Sequence, residues 1–151
     1  MNREILDYVA RERVGVLAVE MLDGWPHAAA VHFVCQEKPF IFFFETDRTY
    51  KKSEPLLSRE LSRASFVLGS DESALKTFQL DGDVRVVKKV ELETFESVYY
   101  CKFPEKTSKA GPDSVFFIFT PRWWRYTDYK KPGGKFILSS DNAVDSDREL
   151  T

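Results

Sequence analysis

The stretch FIFFFETDRTYKKSEPLLSREL (40–61) passes from an unbroken apolar run into a basic turn and then into a short amphipathic pattern. Its Phe-rich first part favours a strand. No polar residue interrupts positions 40–44, so burial on both faces is expected, with a helix on one side or a partner subunit on the other. Thr46 closes this strand. Arg48, Lys51 and Lys52 follow, just before a helix expected to start near Ser53. Ser53 can cap that helix, and Pro55 is tolerable only in its first turn. Leu56, Leu57 and Leu61 supply one apolar face.

Working outward, Ile5, Leu6, Tyr8 and Val9 recur at helical spacing, which predicts a short opening helix over 3–10. VGVLAVE (14–20) reads as a strand, Asp23-Gly24 as a hairpin turn, and PHAAAVHFV (26–34) as the returning strand. ASFVLG (64–69) and the long TFQLDGDVRVVKKV (77–90) are further strands, the second with Gly82 marking a bulge or bend. In ELETFESVYYCKF (91–103) the period changes, and Leu92, Phe95, Tyr99 and Phe103 fall on one helix face. PEKTSKAGPD (104–113) is a polar loop. SVFFIFTP (114–121) and RWWRYTDY (122–129) read as two closing strands separated near Pro121. A short strand at 136–138 precedes a tail expected to fray.

Strands joined by hairpins, with few short helices between them, predict a mainly β fold. It is a six- to seven-stranded antiparallel split β-barrel of Greek-key type with two or three short helices. The expected organisation is one barrel domain over 1–129 and a partly flexible extension over 130–151.

Bulk properties agree with a globular domain. The chain has 151 residues, 43% of them hydrophobic and 30% charged, with a net charge of -2. That balance gives no electrostatic case for nucleic acid binding. No apolar run approaches the ~20 residues of a membrane helix, and the N-terminus is too charged for a secretory signal, so the cytoplasm is the expected compartment. Cys35 and Cys101 form no disulfide framework and are expected as buried free thiols. His32 and Cys35 lack the further ligands a zinc site needs. The common catalytic signatures are missing too: there is no nucleophile elbow, phosphate-binding loop or dinucleotide fingerprint.

The basic turn is the local feature that offers chemistry. Arg48, Lys51 and Lys52, with the hydroxyls of Thr46, Thr49 or Ser53, could cradle a phosphate at a helix start. They could equally be a solvated surface cluster. Ala28, Ala29 and Ala30 lie on the neighbouring strand, where small side chains leave room for a flat ligand against the backbone or for tight packing on a helix.

TDRTYKKSEPL (46–56) resembles a segment of the pyridoxamine 5'-phosphate oxidase family, in which a threonine ends a Phe-rich strand and a Ser-Arg-Lys triplet follows. In that family the Arg-Lys pair holds the phosphate of FMN. Those positions fall on Lys51 and Lys52, both expected to be exposed, and the triplet's serine falls on Tyr50. PHAAAVHF is similar to the family's strand bordering the flavin ring, so Ala28, Ala29, Ala30 and Val31 become candidate flavin contacts. The family's arginine there would fall near Ala29 and is absent. KTFQLDG (76–82) resembles the family's Arg-Gln-Val-Arg-x-x-Gly strand: Gly82 matches, and Thr77 replaces the flavin-contacting glutamine. FTPRWWRY (119–126) is similar to the closing Pro- and Trp-containing strand.

The resemblance covers roughly 3–129. It implies an FMN cofactor, an oxidoreductase with a small-molecule redox substrate, and a homodimer with the flavin between subunits. Trp123, Trp124 and Arg125 would then face the partner's cofactor. No counterpart exists for the oxidase's substrate-binding arginine and histidine, which makes small flavoproteins of the general-stress type the better match. Two other readings use the same barrel. One is a non-catalytic flavin- or haem-binding module, with His27 or His32 as an axial ligand. The other is a reductase using the deazaflavin F420.

Overall fold

Residues 1–69 and 71–141 are described in the computed structural model of the chain. The elements run α1 (Arg3–Arg11), β1 (Val14–Glu20), β2 (Pro26–His32), β3 (Val34–Glu37), β4 (Phe40–Asp47), α2 (Ser53–Ser58), β5 (Ser62–Leu68), β6 (Lys76–Val86), α3 (Lys89–Lys102), a 3-10 turn (Pro104–Lys109), β7 (Ser114–Asp128) and β8 (Phe136–Ser139). All strand pairs are antiparallel, in the order β2-β1-β5-β6-β7-β4-β3, with β8 added to β7.

The two ends of that order are consecutive in the chain. β2 and β3 are joined by Phe33 alone, so the sheet must curl until its ends meet. This is the split barrel expected from the strand pattern. The sequence reading had one strand over 26–34. The structure instead breaks it at Phe33, because β2 pairs with β1 while β3 pairs with β4. It also joins the two expected closing strands into β7, with Pro121 at a register shift opposite Asp81 and Gly82. A bulge asks no ladder hydrogen bond of proline, which has none to give.

Two apolar clusters hold the fold. Inside the barrel, Leu17, Phe42, Phe44, Phe66, Phe78, Leu80, Phe117, Phe119 and Tyr126 pack together, and α1 adds Ile5, Tyr8 and Val9. Outside it, Ile41 and Phe43 of β4 and Phe116 and Ile118 of β7 meet Phe95, Tyr99 and Phe103. The apolar runs of β4 and β7 are thus buried on both faces, by the barrel core on one side and α3 on the other. Of the covers expected for β4, a helix or a partner subunit, this chain supplies the helix. α3 starts where Glu91 accepts a hydrogen bond from the Lys88 N–H at 3.0 Å and pairs with Arg85 through two bonds of 2.9 Å.

Among the described residues, no helix lies over β1, β2 and β5. Their outer face carries Val14, Val16 and Val67, 42%, 39% and 40% exposed. The thiols also differ from expectation: Cys35 is half-buried, whereas Cys101 is exposed, on the solvent side of α3. Burial pushes the Cys35 thiol up to about 12. Among the described residues, no helix is long and apolar enough to cross a membrane. Residues 142–151, most of the expected fraying tail, lie outside the described residues.

Candidate functional site

The basic turn forms one wall of a cleft of about 400 Å³. Ala30, Val31 and His32 of β2 line one side, and Glu45, Thr46 and Asp47 end β4 at its base. Tyr50, Lys52, Lys106 and the segment 111–114 complete it. The register of β4 against β7 explains the last part: Asp47 stands opposite Ser114, so the loop after the 3-10 turn arrives beside the basic turn.

The turn is built by Asp47. Its carboxylate accepts from the Thr49 N–H at 2.8 Å and the Thr49 hydroxyl at 2.6 Å, a local side-chain turn. Those bonds hold Asp47 below the usual carboxylate range, Thr49 being the main cause. The Ser53 hydroxyl donates to the Asp47 carbonyl at 2.8 Å. Ser53 is therefore the first residue of α2 rather than its cap, and Lys52 precedes it in helical conformation.

Lys52 is only 7% exposed, against the expectation that both lysines lie in solvent. Its ammonium sits 4.5 Å from the centroid of the Tyr50 ring, a cation–π contact. Burial lowers its affinity for a proton, partly offset by Asp47. Lys51 points elsewhere. It is exposed and lines a separate hollow of about 200 Å³ with Met21, Trp25 and Glu54.

The other sequence candidates divide. Ala30, Val31, Thr46 and Lys52 share the cleft. Arg48 stands at its rim, exposed, 4.0 Å from the Asp113 carboxylate. Ala29 lies opposite Leu17 and Ala28 opposite Ala18, the latter on the outer face. Thr77 is half-buried opposite Thr127 on β7. Trp124 packs on Phe78 in the barrel core, with ring centroids 5.9 Å apart. Trp123 points outward, and its indole N–H donates to Asp141 at 2.8 Å. These last three lie away from the cleft of their own chain.

Sequence reading missed Glu45, Lys106, Asp113 and Ser114. Ser114 donates to Glu45, which engages that carboxylate within the protein. Lys106 had no local signal, because it sits in a polar loop that only the fold brings to β4.

The donors present fit a phosphomonoester joined to a flat group. Lys52 and the hydroxyl-bearing Thr46 and Tyr50 line the same cleft as Ala30, whose small side chain leaves open wall.

The family model of pyridoxamine 5'-phosphate oxidase matches residues 1–128. The chain belongs to that family. Solved structures of similar fold include a protein related to general stress protein 26, of the pyridoxinephosphate oxidase family, from Clostridium acetobutylicum. It shares 15% identity at a TM-score of 0.65, covering 91% of this chain and 93% of that one. A conserved hypothetical protein from Mycobacterium tuberculosis shares 24% identity at a TM-score of 0.67, over 88% of both chains. The heme storage protein of Vibrio cholerae shares 18% identity at 0.66, covering 79% of this chain and 88% of that one. A search of curated proteins found no match.

Proposed function

We propose that the chain is a cytoplasmic FMN-binding flavoprotein and an oxidoreductase acting on a small molecule. The observation that carries this reading is Lys52, a buried ammonium lining a cleft at the position where the family holds the FMN phosphate. FMN, when bound, supplies the redox chemistry, so no side chain need act as a nucleophile. Lys52 would hold the phosphate, with Thr46 as a hydroxyl partner. Ala30 and Val31 would present a smooth wall to the flavin.

Ala30 and His32, which line the cleft, stand opposite Val16 and Val14 of the uncovered sheet. Two copies packed through the outer face of β1, β2 and β5 would close it. Thr77 and Trp123, remote from their own cleft, would then face the partner's flavin.

The test is reconstitution. Purified protein incubated with FMN should show a two-band flavin spectrum, and riboflavin should bind at least tenfold more weakly by calorimetry. Equal affinities would mean that the phosphate makes no contact with Lys52. A second reading has one observation in its favour: His32 lines the same cleft and meets the edge of Phe103 at 5.3 Å between ring centroids. A haem held there would give a Soret band in place of the flavin spectrum.

A further inference from the structure

We propose that the phosphate-holding cations of this chain are Lys52 and Lys106, and that Lys51, the neighbour expected from sequence, takes no part. The inference rests on the FMN reading and names the second cation of that site.

Lys106 lines the cleft with Lys52, whereas Lys51 lines a different hollow beside Trp25 and Glu54. Among the described residues, neither Lys52 nor Lys106 makes an ion pair. Asp47 attracts Lys52, and Glu105 attracts Lys106, only at longer range than an ion pair, so both ammoniums keep donors for an anion in the cleft.

Lys106 is half-buried and held in place from both sides. Its N–H donates to the Phe103 carbonyl at 3.0 Å, and Phe103 is fully buried beneath Arg13 and His32. Next to it, Glu105 pairs with Arg13, which ties the 3-10 turn to the start of β1. A lysine on a pinned turn loses less freedom on binding an anion than one on a free loop.

Three carboxylates also line the cleft. Asp47 is occupied by Thr49 and Glu45 by Ser114, while Asp113 stands 4.0 Å from Arg48. Each thus has a donor of the protein within reach, and Asp47 attracts Lys52 at longer range only.

The experiment titrates FMN and riboflavin, side by side, into wild type and into Lys51→Ala, Lys52→Ala, Lys106→Gln and Lys106→Arg. Thermal melts confirm that each variant folds. One charge-assisted contact is worth about tenfold to hundredfold in affinity. Lys52→Ala and Lys106→Gln should each weaken FMN by at least tenfold without changing riboflavin. Lys106→Arg should restore most of the loss, and Lys51→Ala should stay within about twofold of wild type. FMN affinity unchanged in Lys106→Gln, or a larger loss in Lys51→Ala, overturns the pair.

Should wild type take up no FMN, the flavin reading fails separately, and inorganic phosphate followed by amide NMR decides the pair. Shifts at Lys52 and Lys106 that vanish in Lys106→Gln uphold it; no shift at Lys106 overturns it.

Discussion

Lys102 donates to the Glu12 carbonyl at 2.6 Å and lies 4.7 Å from the centroid of the Phe33 ring. Burial there pulls its ammonium down to about 8. An unfolded lysine keeps its proton to about 10.4. Between those values the unfolded chain binds a proton that the native chain has lost, so stability rises with pH. Cys35 acts in the opposite sense: its native thiol keeps a proton up to about 12 that the unfolded chain loses near 9. Because Lys102 and Cys35 act on each other, the wild-type lysine and Lys102→Met are compared in a Cys35→Ala background. Urea midpoints should show the lysine form gaining on the variant from pH 8 to pH 10.5, and a flat difference would mean that Lys102 titrates normally. Gly82 is a second case where one residue decides. A Cβ there would stand 2.2 Å from the Thr120 carbonyl oxygen and 3.0 Å from Pro121 Cα, both backbone atoms. Gly82→Ala should cost about 1–3 kcal/mol or more in urea unfolding, because the bulge has no side chain to move aside.

At the scale of elements, β4 and β7 do two jobs. Their even and odd positions face different cores, so each side chain of the run is committed. The Phe43 ring lies 4.9 Å from Phe95 of α3, edge to face, and is fully buried. Phe43→Ala should therefore lose about 3–5 kcal/mol, read from chemical denaturation. A loss below about 1 kcal/mol would mean that α3 is not packed there. Much of this was legible. The alternation of β1, the unbroken run of β4 and the helical spacing of α3 are local signals. The break at Phe33 was not, because PHAAAVHFV carries no Gly or Pro inside it and the strand divides only through its choice of partners. Pro121 misled in the other direction. Its place at a bulge, and hence its tolerance within one strand, depends on Gly82 across the sheet.

For the whole molecule, the asymmetry of the barrel is the main fact. α3 covers the outer face of β4 and β7, while among the described residues no element covers the outer face of β1, β2 and β5, which carries Val14, Val16 and Val67. An exposed apolar group of this kind commonly marks an interface. If two copies meet there, wild type should run as a dimer by light scattering, and Val67→Asp should shift it to monomer while its far-ultraviolet spectrum stays the same. A wild-type monomer that still binds FMN tightly would remove the partner subunit from the site.

By itself the sequence determined the split barrel and the family, and it marked the basic turn as a candidate site. Strand alternation, Phe runs and turn residues act over a few positions, so they can be read in order. Only the tertiary structure decided which cations share a cleft. It buried Lys52 under Tyr50, sent Lys51 to the opposite side of the turn, and carried Lys106 to the end of β4. The physical reason is that a binding site is set by side-chain direction and by strand register across the sheet. Neither is encoded in the residues next to a lysine.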